Sequence, residues 1–320
     1  MRIVCDTYIP FLLEAVQKAW PQVEIIPLKP EEIDAAAVRE ADVLVVRTRT
    51  QVNEALLAVS NVKLVCTATI GFDHIDTAYC ESRGIRWMSC PGCNAQAVCD
   101  YIEEAIEELI SNFKFQISNS PTIGVVGVGH VGSLVAKMAE RRGMKVLLND
   151  PPKGIGVSLD ELARNSDIIT FHVPLDASTY HMCNEAFLAS CKPNAVIINA
   201  ARGGVVDEEA LLRSGHPFIL DTWENEPHIN PDVLQRALLA SMHIAGYSVE
   251  GKRNAAQMCL NGIAEQFNLP PIDISKSQEL DISKQKGDSA PGWLSRISES
   301  LKANPTLFES LRKSYPLRGA

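Results

Sequence analysis

The sequence predicts an α/β protein of two domains, each built on a parallel β-sheet, followed by a short helical segment. Apolar runs rich in valine alternate with stretches of helical spacing, and this alternation is typical of βα units. It occurs twice, first within residues 1–92 and again after the polar SNSPT at 118–122. In the second series, GVGHVG at 127–132 follows an apolar strand and opens a helical stretch, which is the arrangement of a Rossmann-like fold.

Residues 1–92 are expected to form the first domain. Its predicted strands are 1–6, 42–48 and 63–69, and its predicted helices are 10–20, 53–58 and 75–83. The strands are short and almost wholly apolar, as is usual for parallel strands that are buried on both faces.

Residues 93–250 are expected to form the second domain, with a cleft between it and the first. A helix begins at Asn94, a good N-cap, and its apolar stripe lies opposite a solvated face of glutamates that includes Glu108. The predicted parallel strands are 122–129, 145–150, 167–174, 194–200, 217–221 and a short one near His243. Six such strands with helices between them match two mononucleotide-binding halves.

Residues 251–320 are expected to form a C-terminal helical segment. A helix continues to about residue 267, residues 270–290 are polar and lack periodicity, and two short helices follow. Helices this short are not stable alone. They must therefore pack on the body of the protein or on another subunit.

Composition limits the classes of partner and the compartment. The 320 residues are 46% hydrophobic and 22% charged, as in a globular protein with real cores. The net charge of −9 argues against nucleic acid or an anionic membrane surface as a partner. No signal peptide is expected, because the first residues already have the pattern of a strand. Nine scattered cysteines favour reduced thiols and a cytoplasmic location.

The glycine motif predicts a dinucleotide site. Gly127, Gly129 and Gly132 permit a tight turn, close approach of a pyrophosphate and contact between helix and strand. Asp150 ends the next strand, where an acid accepts ribose hydroxyls and repels the additional phosphate of NADP. NAD is therefore the expected cofactor. Lys153 nearby weakens the exclusion of NADP, and a glycine turn before an ordinary core helix is the alternative interpretation.

Arg202, Glu226 and His243 supply the chemistry that oxidation of a 2-hydroxy acid requires. An arginine can bind a carboxylate through two parallel hydrogen bonds. A histidine can accept the hydroxyl proton, and a carboxylate can fix the histidine tautomer. Each residue alone has another interpretation: a surface salt bridge for Arg202, a core histidine for His243, and an exchange of roles between Glu226 and Glu224. Together the three predict a dehydrogenase.

The sequence resembles the D-2-hydroxyacid dehydrogenase family along most of its length. The segments that carry the resemblance are VRTRTQVNE (46–54), CTATIGFDHID (66–76), CPGCNAQAV (90–98), GVVGVGHVG (124–132), LLNDPP (147–152), DIITFHVPL (167–175), INAARGGVVD (198–207), DTWENEP (221–227) and HIAGYSVEGK (243–252). The final LFESLRKSYP is similar to the family's C-terminal end. PGCNA, DPP and HIAGYSVEGK are the more specific segments, and they indicate a phosphorylated sugar acid as substrate.

The resemblance implies a role for each matching residue. The implied catalytic set is Arg202, Glu226 and His243. The implied NAD contacts, beside the three glycines, are His130, Val131, Asp150, Val173, Ala200, Ala201, Asp221 and Gly246, and the implied substrate contacts are Thr48, Thr69 and Tyr247. The family also implies a homodimer, although the region after residue 268 is shorter than the family's usual C-terminal dimerisation domain.

Several alternatives remain open. Arg47 and Arg49 are candidates for holding a distal phosphate, or plain surface charges. Cys90 and Cys93 have redox-motif spacing, but the resemblance implies neither redox chemistry nor a metal, and no metal is expected. The substrate could instead be 3-phosphoglycerate or D-lactate. A NAD-sensing binding protein, similar to the corepressors that share this fold, is the alternative outside the enzymes.

Overall fold

The computed structural model describes residues 1–112, 120–275 and 292–318. The chain has two compact units, whose described residues are 1–94 and 248–275 in the first, and 95–112, 120–247 and 292–318 in the second. Each unit combines a mainly parallel sheet with helices, which confirms the predicted fold class. No helix in this described part of the chain is long and apolar enough to cross a membrane.

The first unit contains a five-stranded sheet in which all neighbouring strands are parallel. Its strands are β1 (Arg2–Asp6), β2 (Glu24–Leu28), β3 (Val43–Val46), β4 (Leu64–Thr67) and β5 (Arg86–Met88), in the order β2-β1-β3-β4-β5. The central β3 and β4 are buried at every residue. Strands β2 and β5 were not predicted from the sequence, because both are edge strands with partly exposed residues and lack a continuous apolar run.

The second unit contains a seven-stranded sheet. Its strands are β6 (Thr122–Val126), β7 (Lys145–Asp150), β8 (Ile155–Gly156), β9 (Ile168–Phe171), β10 (Val196–Asn199), β11 (Phe218–Leu220) and β12 (Leu239–Ala240), in the order β12-β11-β10-β9-β6-β7-β8. Only β8 is antiparallel to its neighbour. The short strand expected near His243 is β12, and His243 lies in the loop that follows it.

Helices connect the strands in both units. In chain order they are α1 (Leu12–Ala19), α2 (Ala35–Val38), α3 (Glu54–Leu57), α4 (Thr77–Ser82), α5 (Ala95–Asn112), α6 (His130–Arg141), α7 (Leu159–Asn165), α8 (Glu185–Ser190), α9 (Glu208–Ser214), α10 (Pro231–Arg236), α11 (Val249–Phe267), α12 (Trp293–Ala303) and α13 (Phe308–Ser314). Helices α1–α4 and α11 belong to the first unit, and the others belong to the second.

The segment after residue 250 does not form a compact unit of its own. Helix α11 packs against β4 of the first unit, whereas α12 packs against β12 and α5 of the second. The two parts separate because each places its apolar residues on a different sheet. Most of the polar stretch expected at 270–290 lies outside the described residues, which end at 275 and resume at 292.

Glu108 on α5 lies in a different environment from the one that the sequence predicts. Its side chain was expected on a solvated face, but the residue is buried. Its carboxylate accepts hydrogen bonds from the backbone amides of Leu294 and Ser295, both at 2.9 Å, and from the Ser295 hydroxyl. Glu108 thus satisfies amide groups at the first turn of α12, which have no partner within the helix.

Candidate active site

The glycine-rich turn joins β6 to α6 in the second unit. Gly127 has a positive φ of 88°, and a Cβ atom there would lie 2.7 Å from the carbonyl oxygen of His172. A Cβ atom on Gly132 would lie 1.9 Å from the carbonyl oxygen of Gly127, whereas one on Gly129 would meet nothing closer than the Lys153 amine at 4.0 Å. The first and third glycines are therefore required by the fold itself. The space at Gly129 leaves room for a pyrophosphate to approach the backbone.

Asp150 ends β7 beside this turn. Its Oδ2 atom accepts a hydrogen bond of 2.8 Å from the Val128 amide and lies 3.4 Å from the Lys153 amine. Lys153 also donates to the Val128 carbonyl at 2.7 Å. The acid expected to bind ribose thus lies against the glycine turn, which fits a dinucleotide, and Lys153 lies beside it. His130, the first residue of α6, is exposed.

Arg202 lies just after β10, at the same edge of the sheet. The Asn199 side chain shapes this turn by donating to the Arg202 carbonyl at 2.8 Å and accepting from the Ala201 amide at 3.1 Å. A Cβ atom on the next residue, Gly203, would lie 1.9 Å from the Trp223 carbonyl oxygen. The glycine therefore allows the Arg202 turn and the loop after β11 to approach closely.

His243 and Glu226 form a hydrogen-bonded pair. His243 Nδ1 lies 2.9 Å from Glu226 Oε2, and the other carboxylate oxygen accepts a 2.9 Å bond from the Trp223 amide. Burial acts to raise the pKa of Glu226, but the His243 bond and charge, the Trp223 amide and the Arg312 charge outweigh it, so the pKa is lowered. Glu226 is therefore a carboxylate placed to stabilise a protonated imidazole.

The loops at the carboxyl ends of the strands of the second sheet line one cavity. It has a volume of about 420 Å³ and is lined by Arg202, Glu226 and His243 together with Leu175, Tyr180, Trp223 and neighbouring residues. The structure thus brings the three predicted catalytic residues to one cavity within the second unit. The sequence left Glu226 and Glu224 as alternatives, and here Glu224 contacts His181 instead.

The other predicted site residues are divided between the units. Thr48 and Thr69 belong to the first unit, where Thr48 is exposed and the Thr69 hydroxyl donates to the Gly71 carbonyl at 2.8 Å. The second unit contains Tyr247 and all the predicted NAD contacts. These NAD contacts are Gly127, Gly129, His130, Val131, Gly132, Asp150, Val173, Ala200, Ala201, Asp221 and Gly246.

Several residues around the predicted site were not predicted from the sequence to belong to it. Arg312 Nε donates to the Tyr247 hydroxyl at 3.2 Å. Glu208 is buried and accepts from the Glu224 amide at 2.7 Å. Arg318 contacts the loop after His243. Arg312 lies within the LFESLRKSYP segment and Arg318 lies two residues after it, but both are distant along the chain from the motifs of the predicted site, so local pattern could not associate them with it.

The Cys90–Cys93 spacing does not correspond to a thiol pair in the structure. The Cys90 thiol lies 3.7 Å from the thiol of Cys259 on α11, and all nine cysteines are free. No group of three or more histidine, cysteine or acidic residues among the described residues is arranged to hold a metal ion.

Comparison with known proteins agrees with this fold. The profile of the D-isomer specific 2-hydroxyacid dehydrogenase NAD binding domain matches residues 107–247. A solved 3-phosphoglycerate dehydrogenase of Entamoeba histolytica with bound NAD+ has a TM-score of 0.72 and 26% identity, covering 84% of this chain and 95% of its own. A D-lactate dehydrogenase of Aquifex aeolicus, complexed with NAD and lactic acid, has a TM-score of 0.65 and 25% identity, covering 83% and 95%.

Curated relatives match over a greater length. The erythronate-4-phosphate dehydrogenase of Bacteroides fragilis is 41% identical, over 99% of this chain and 97% of the relative. That of Porphyromonas gingivalis is 39% identical, over 99% and 92%. The protein of the same name from Cronobacter sakazakii is 40% identical, but over 84% of this chain and 74% of the relative. The chain thus matches the first two over nearly their whole length and the third over part of it.

The fold, the glycine motif and these matches define an NAD-dependent dehydrogenase. The chain belongs to the D-isomer specific 2-hydroxyacid dehydrogenase family and, within it, to the branch of the erythronate-4-phosphate dehydrogenases. The predictions of the enzyme class and of NAD as cofactor are confirmed.

Proposed function

We propose that the protein oxidises 4-phospho-D-erythronate at C2 to 3-hydroxy-2-oxo-4-phosphooxybutanoate, a step of pyridoxal 5'-phosphate biosynthesis. The observation that carries the chemistry is the cavity shared by Arg202 and the hydrogen-bonded pair of His243 and Glu226. The choice of substrate is supported by the name of the relatives that match over nearly the whole chain.

NAD, when bound, supplies the hydride acceptor that no side chain can provide. Gly127 and Gly132 permit the tight turn, the space beside Gly129 leaves the backbone open to the pyrophosphate of NAD, and Asp150 accepts its ribose hydroxyls. The fit is supported by the open space at Gly129, where a Cβ atom would meet nothing closer than the Lys153 amine at 4.0 Å.

Arg202 binds the substrate carboxylate and the C2 oxygen. Negative charge develops on this oxygen as the C2–H bond breaks, and a guanidinium aimed at it from the cavity wall stabilises that charge. Arginine suits this role because its planar donors match a carboxylate and keep their charge at any working pH.

His243 accepts the proton of the C2 hydroxyl. Because the Glu226 carboxylate accepts from Nδ1, the neutral ring has its lone pair on Nε2, which is the atom that takes the proton. The resulting imidazolium is stabilised by Glu226, whose lowered pKa keeps it ionised. A general base of this kind contributes about 10²- to 10⁴-fold in rate.

The distal phosphate is assigned to Arg47, with Arg49, Thr48 and Thr69 of the first unit as further ligands. Arg47 Nε is buried and has no hydrogen-bond partner among the described residues, while its Nη1 contacts the Tyr8 carbonyl at 3.4 Å. A buried donor without a partner is uncommon, and an anionic ligand would satisfy it. Tyr247 is proposed as a further substrate contact.

We also propose the roles of the domains, the oligomeric state and the location of the enzyme. Residues 1–92 serve as the substrate-binding domain and 93–250 as the NAD-binding domain, and helices of the segment 251–320 contribute to a homodimer. A cytoplasmic location is supported by nine free thiols. The net charge of −9 supports the absence of a nucleic-acid partner.

Formation of NADH tests the proposal, with 4-phospho-D-erythronate, 3-phosphoglycerate and D-lactate assayed in parallel. We expect the highest kcat/KM for 4-phospho-D-erythronate and a loss of about 10²- to 10⁴-fold in His243→Ala. His228→Ala is the control, because His228 is exposed and outside the cavity lining. Equal or better turnover of 3-phosphoglycerate would overturn the substrate. NAD binding without turnover of any of the three would favour a sensor.

A further inference from the structure

The loop of residues 243–247 carries the base His243 and the substrate contact Tyr247, and it starts in an unfavourable conformation. His243 has a φ of 58°, in the left-handed region that residues other than glycine rarely occupy. Such a conformation persists only where the surrounding structure holds it. The contacts that hold this loop therefore decide where the imidazole lies.

Asp221, directly after β11, binds backbone amides of the loop. Its carboxylate accepts hydrogen bonds from the amides of Ile244 at 2.7 Å and Ala245 at 2.9 Å, and from the Ser241 hydroxyl at 2.6 Å. The backbone carbonyl of Asp221 also accepts from the His243 amide at 2.7 Å. Nothing in this set contacts the carbonyl oxygens of the loop.

Arg318 binds backbone carbonyl oxygens of the loop. Its Nη2 donates to the carbonyl oxygens of Ile244, at 3.3 Å, and Ala245, and its Nε donates to that of Tyr247 at 3.3 Å. The same Nη2 reaches the Ala97 carbonyl of α5 at 3.2 Å. A single guanidinium thus joins three residues of the loop to the first turns of a long helix.

The environment of Arg318 is that of a fixed group. The residue is 9% exposed, and its guanidinium lies 5.1 Å from the ring centroid of Trp293 and 5.9 Å from that of Tyr101. Trp293 is the first residue of α12, whose first turn is held by Glu108. Helix α12 is therefore anchored on the second unit independently of the contact between Arg318 and the loop.

We propose that Arg318 is a positioning residue for the reaction: by binding the carbonyl oxygens of residues 244, 245 and 247, it fixes the imidazole of His243 for proton transfer. The inference rests on the proposed function for the identity of the reaction, and on the hydrogen bonds above for the role of Arg318. It makes the end of the described chain, residues 292–318, part of the active site as well as a packing element. Lysine cannot replace this residue fully, because an ammonium lacks the planar array of donors.

The test compares Arg318→Met with Lys302→Met. Lys302 is a matched control, because its amine donates to the Ala237 carbonyl from the same C-terminal segment without touching the loop. Both variants lose one cation bound to backbone carbonyls. We expect Arg318→Met alone to lower kcat by about 10²-fold, the cost of a small misplacement of reacting groups. We also expect faster hydrogen exchange at the amides of residues 243–247 in this variant alone.

Arg318→Lys and Arg318→Ala keep the test decisive if Arg318→Met does not fold. In Arg318→Ala, added guanidinium should restore part of kcat, whereas an equal concentration of sodium chloride should not. His243→Ala should not respond to guanidinium, because the missing group there is the base itself. Arg318→Lys should retain the fold and lose kcat with little change in KM.

Two results would overturn the inference. One is an Arg318→Met enzyme with the kcat and loop exchange of Lys302→Met; the other is a folded Arg318→Ala enzyme that guanidinium does not rescue. Failure of the wild-type enzyme to oxidise 4-phospho-D-erythronate would instead overturn the proposed function. Hydrogen exchange would then still decide the role of Arg318, since it needs no substrate.

Discussion

Two glutamates near the cavity have pKa values displaced in opposite directions. Glu226 receives hydrogen bonds from His243 and the Trp223 amide, and its pKa is lowered despite burial. Glu208 is 3% exposed, and burial raises its pKa to about 7, with the Glu224 amide opposing this and the charges of Glu224 and Glu226 adding to it. The Glu226 carboxyl therefore stays ionised, as the proposed mechanism requires, while the Glu208 carboxyl titrates near neutral pH.

Glu208 predicts a pH dependence of stability. Between its ordinary value of 4.5 and its folded value of about 7, the native state binds more protons than the unfolded state. The free energy of unfolding therefore falls as pH rises through this window, by about 3 kcal/mol at 1.36 kcal/mol per pKa unit. Glu208→Gln should remove this contribution, as measured by urea unfolding at the two ends of the window.

Glu209→Gln is the matched control for that experiment. Glu209 is the next residue of α9, and its side chain is 78% exposed, so its replacement should leave the pH dependence of unfolding unchanged. An identical pH dependence in Glu208→Gln and the wild-type protein would contradict the pKa assignment.

At the scale of single residues, the sequence could supply the residue types of the site but not which side chains contact each other. Arginine, glutamate and histidine in three separate motifs predicted a dehydrogenase, and the enzyme class is confirmed. Their individual catalytic roles remain predictions. The sequence could not separate Glu226 from Glu224, two residues away, because that difference depends on which side chain meets His243 and which meets His181.

At the scale of elements, the sequence predicts one segment best: strand β6, the glycine turn and helix α6. Here every requirement is local: an apolar strand, glycines at fixed spacing and a helix directly after them. Edge strands β2 and β5 were missed for the opposite reason. Their pairing depends on the neighbouring strands β1 and β4, which are distant in the sequence.

The glycine turn predicts different defects for two alanine substitutions. Gly132→Ala would place a Cβ atom 1.9 Å from the Gly127 carbonyl oxygen, and we expect the free energy of unfolding to fall by about 1–3 kcal/mol, as for overpacking. Gly129→Ala has space in the protein, so stability should be retained while NAD affinity falls by at least about tenfold, equivalent to 1.4 kcal/mol.

Calorimetric titration with NAD and urea unfolding distinguish the two variants, and each serves as the control for the other. Unchanged NAD affinity in a folded Gly129→Ala protein would show that the cofactor does not approach this backbone closely. Unchanged stability in Gly132→Ala would show that the turn can shift without cost.

At the scale of the whole molecule, the two compact units are not two consecutive pieces of chain. Helix α11 follows the second sheet in sequence but packs against β4 of the first unit, and α12 belongs to the second unit again. The helical pattern of these segments was visible in the sequence. Which sheet each helix covers was not, because an apolar stripe does not identify its partner.

Buried thiols in both units predict slow chemical modification of the native protein. Eight of the nine cysteines are buried, and Cys191 is the exception. Burial raises the pKa of Cys191 and of Cys5 to about 12, and burial together with the Asp100 and Glu103 charges raises that of Cys99 to about 11, so these thiols are protonated at neutral pH. Because thiolates are the reactive form, a thiol-specific reagent should label the native protein slowly, with Cys191 labelled first. All nine thiols should react after unfolding.

Labelling of the buried thiols then requires opening of the fold, so its rate should follow the population of open states. NAD binds the folded protein and, at 100 times its Kd, should raise the free energy of opening by about 2.7 kcal/mol. The population of open states, and with it the labelling rate, should then fall roughly a hundredfold. Mass spectrometry of the labelled peptides measures this site by site, and Cys191→Ser removes the exposed background. Fast labelling of Cys90 or Cys93, insensitive to NAD, would contradict the prediction and would support the redox interpretation of their spacing.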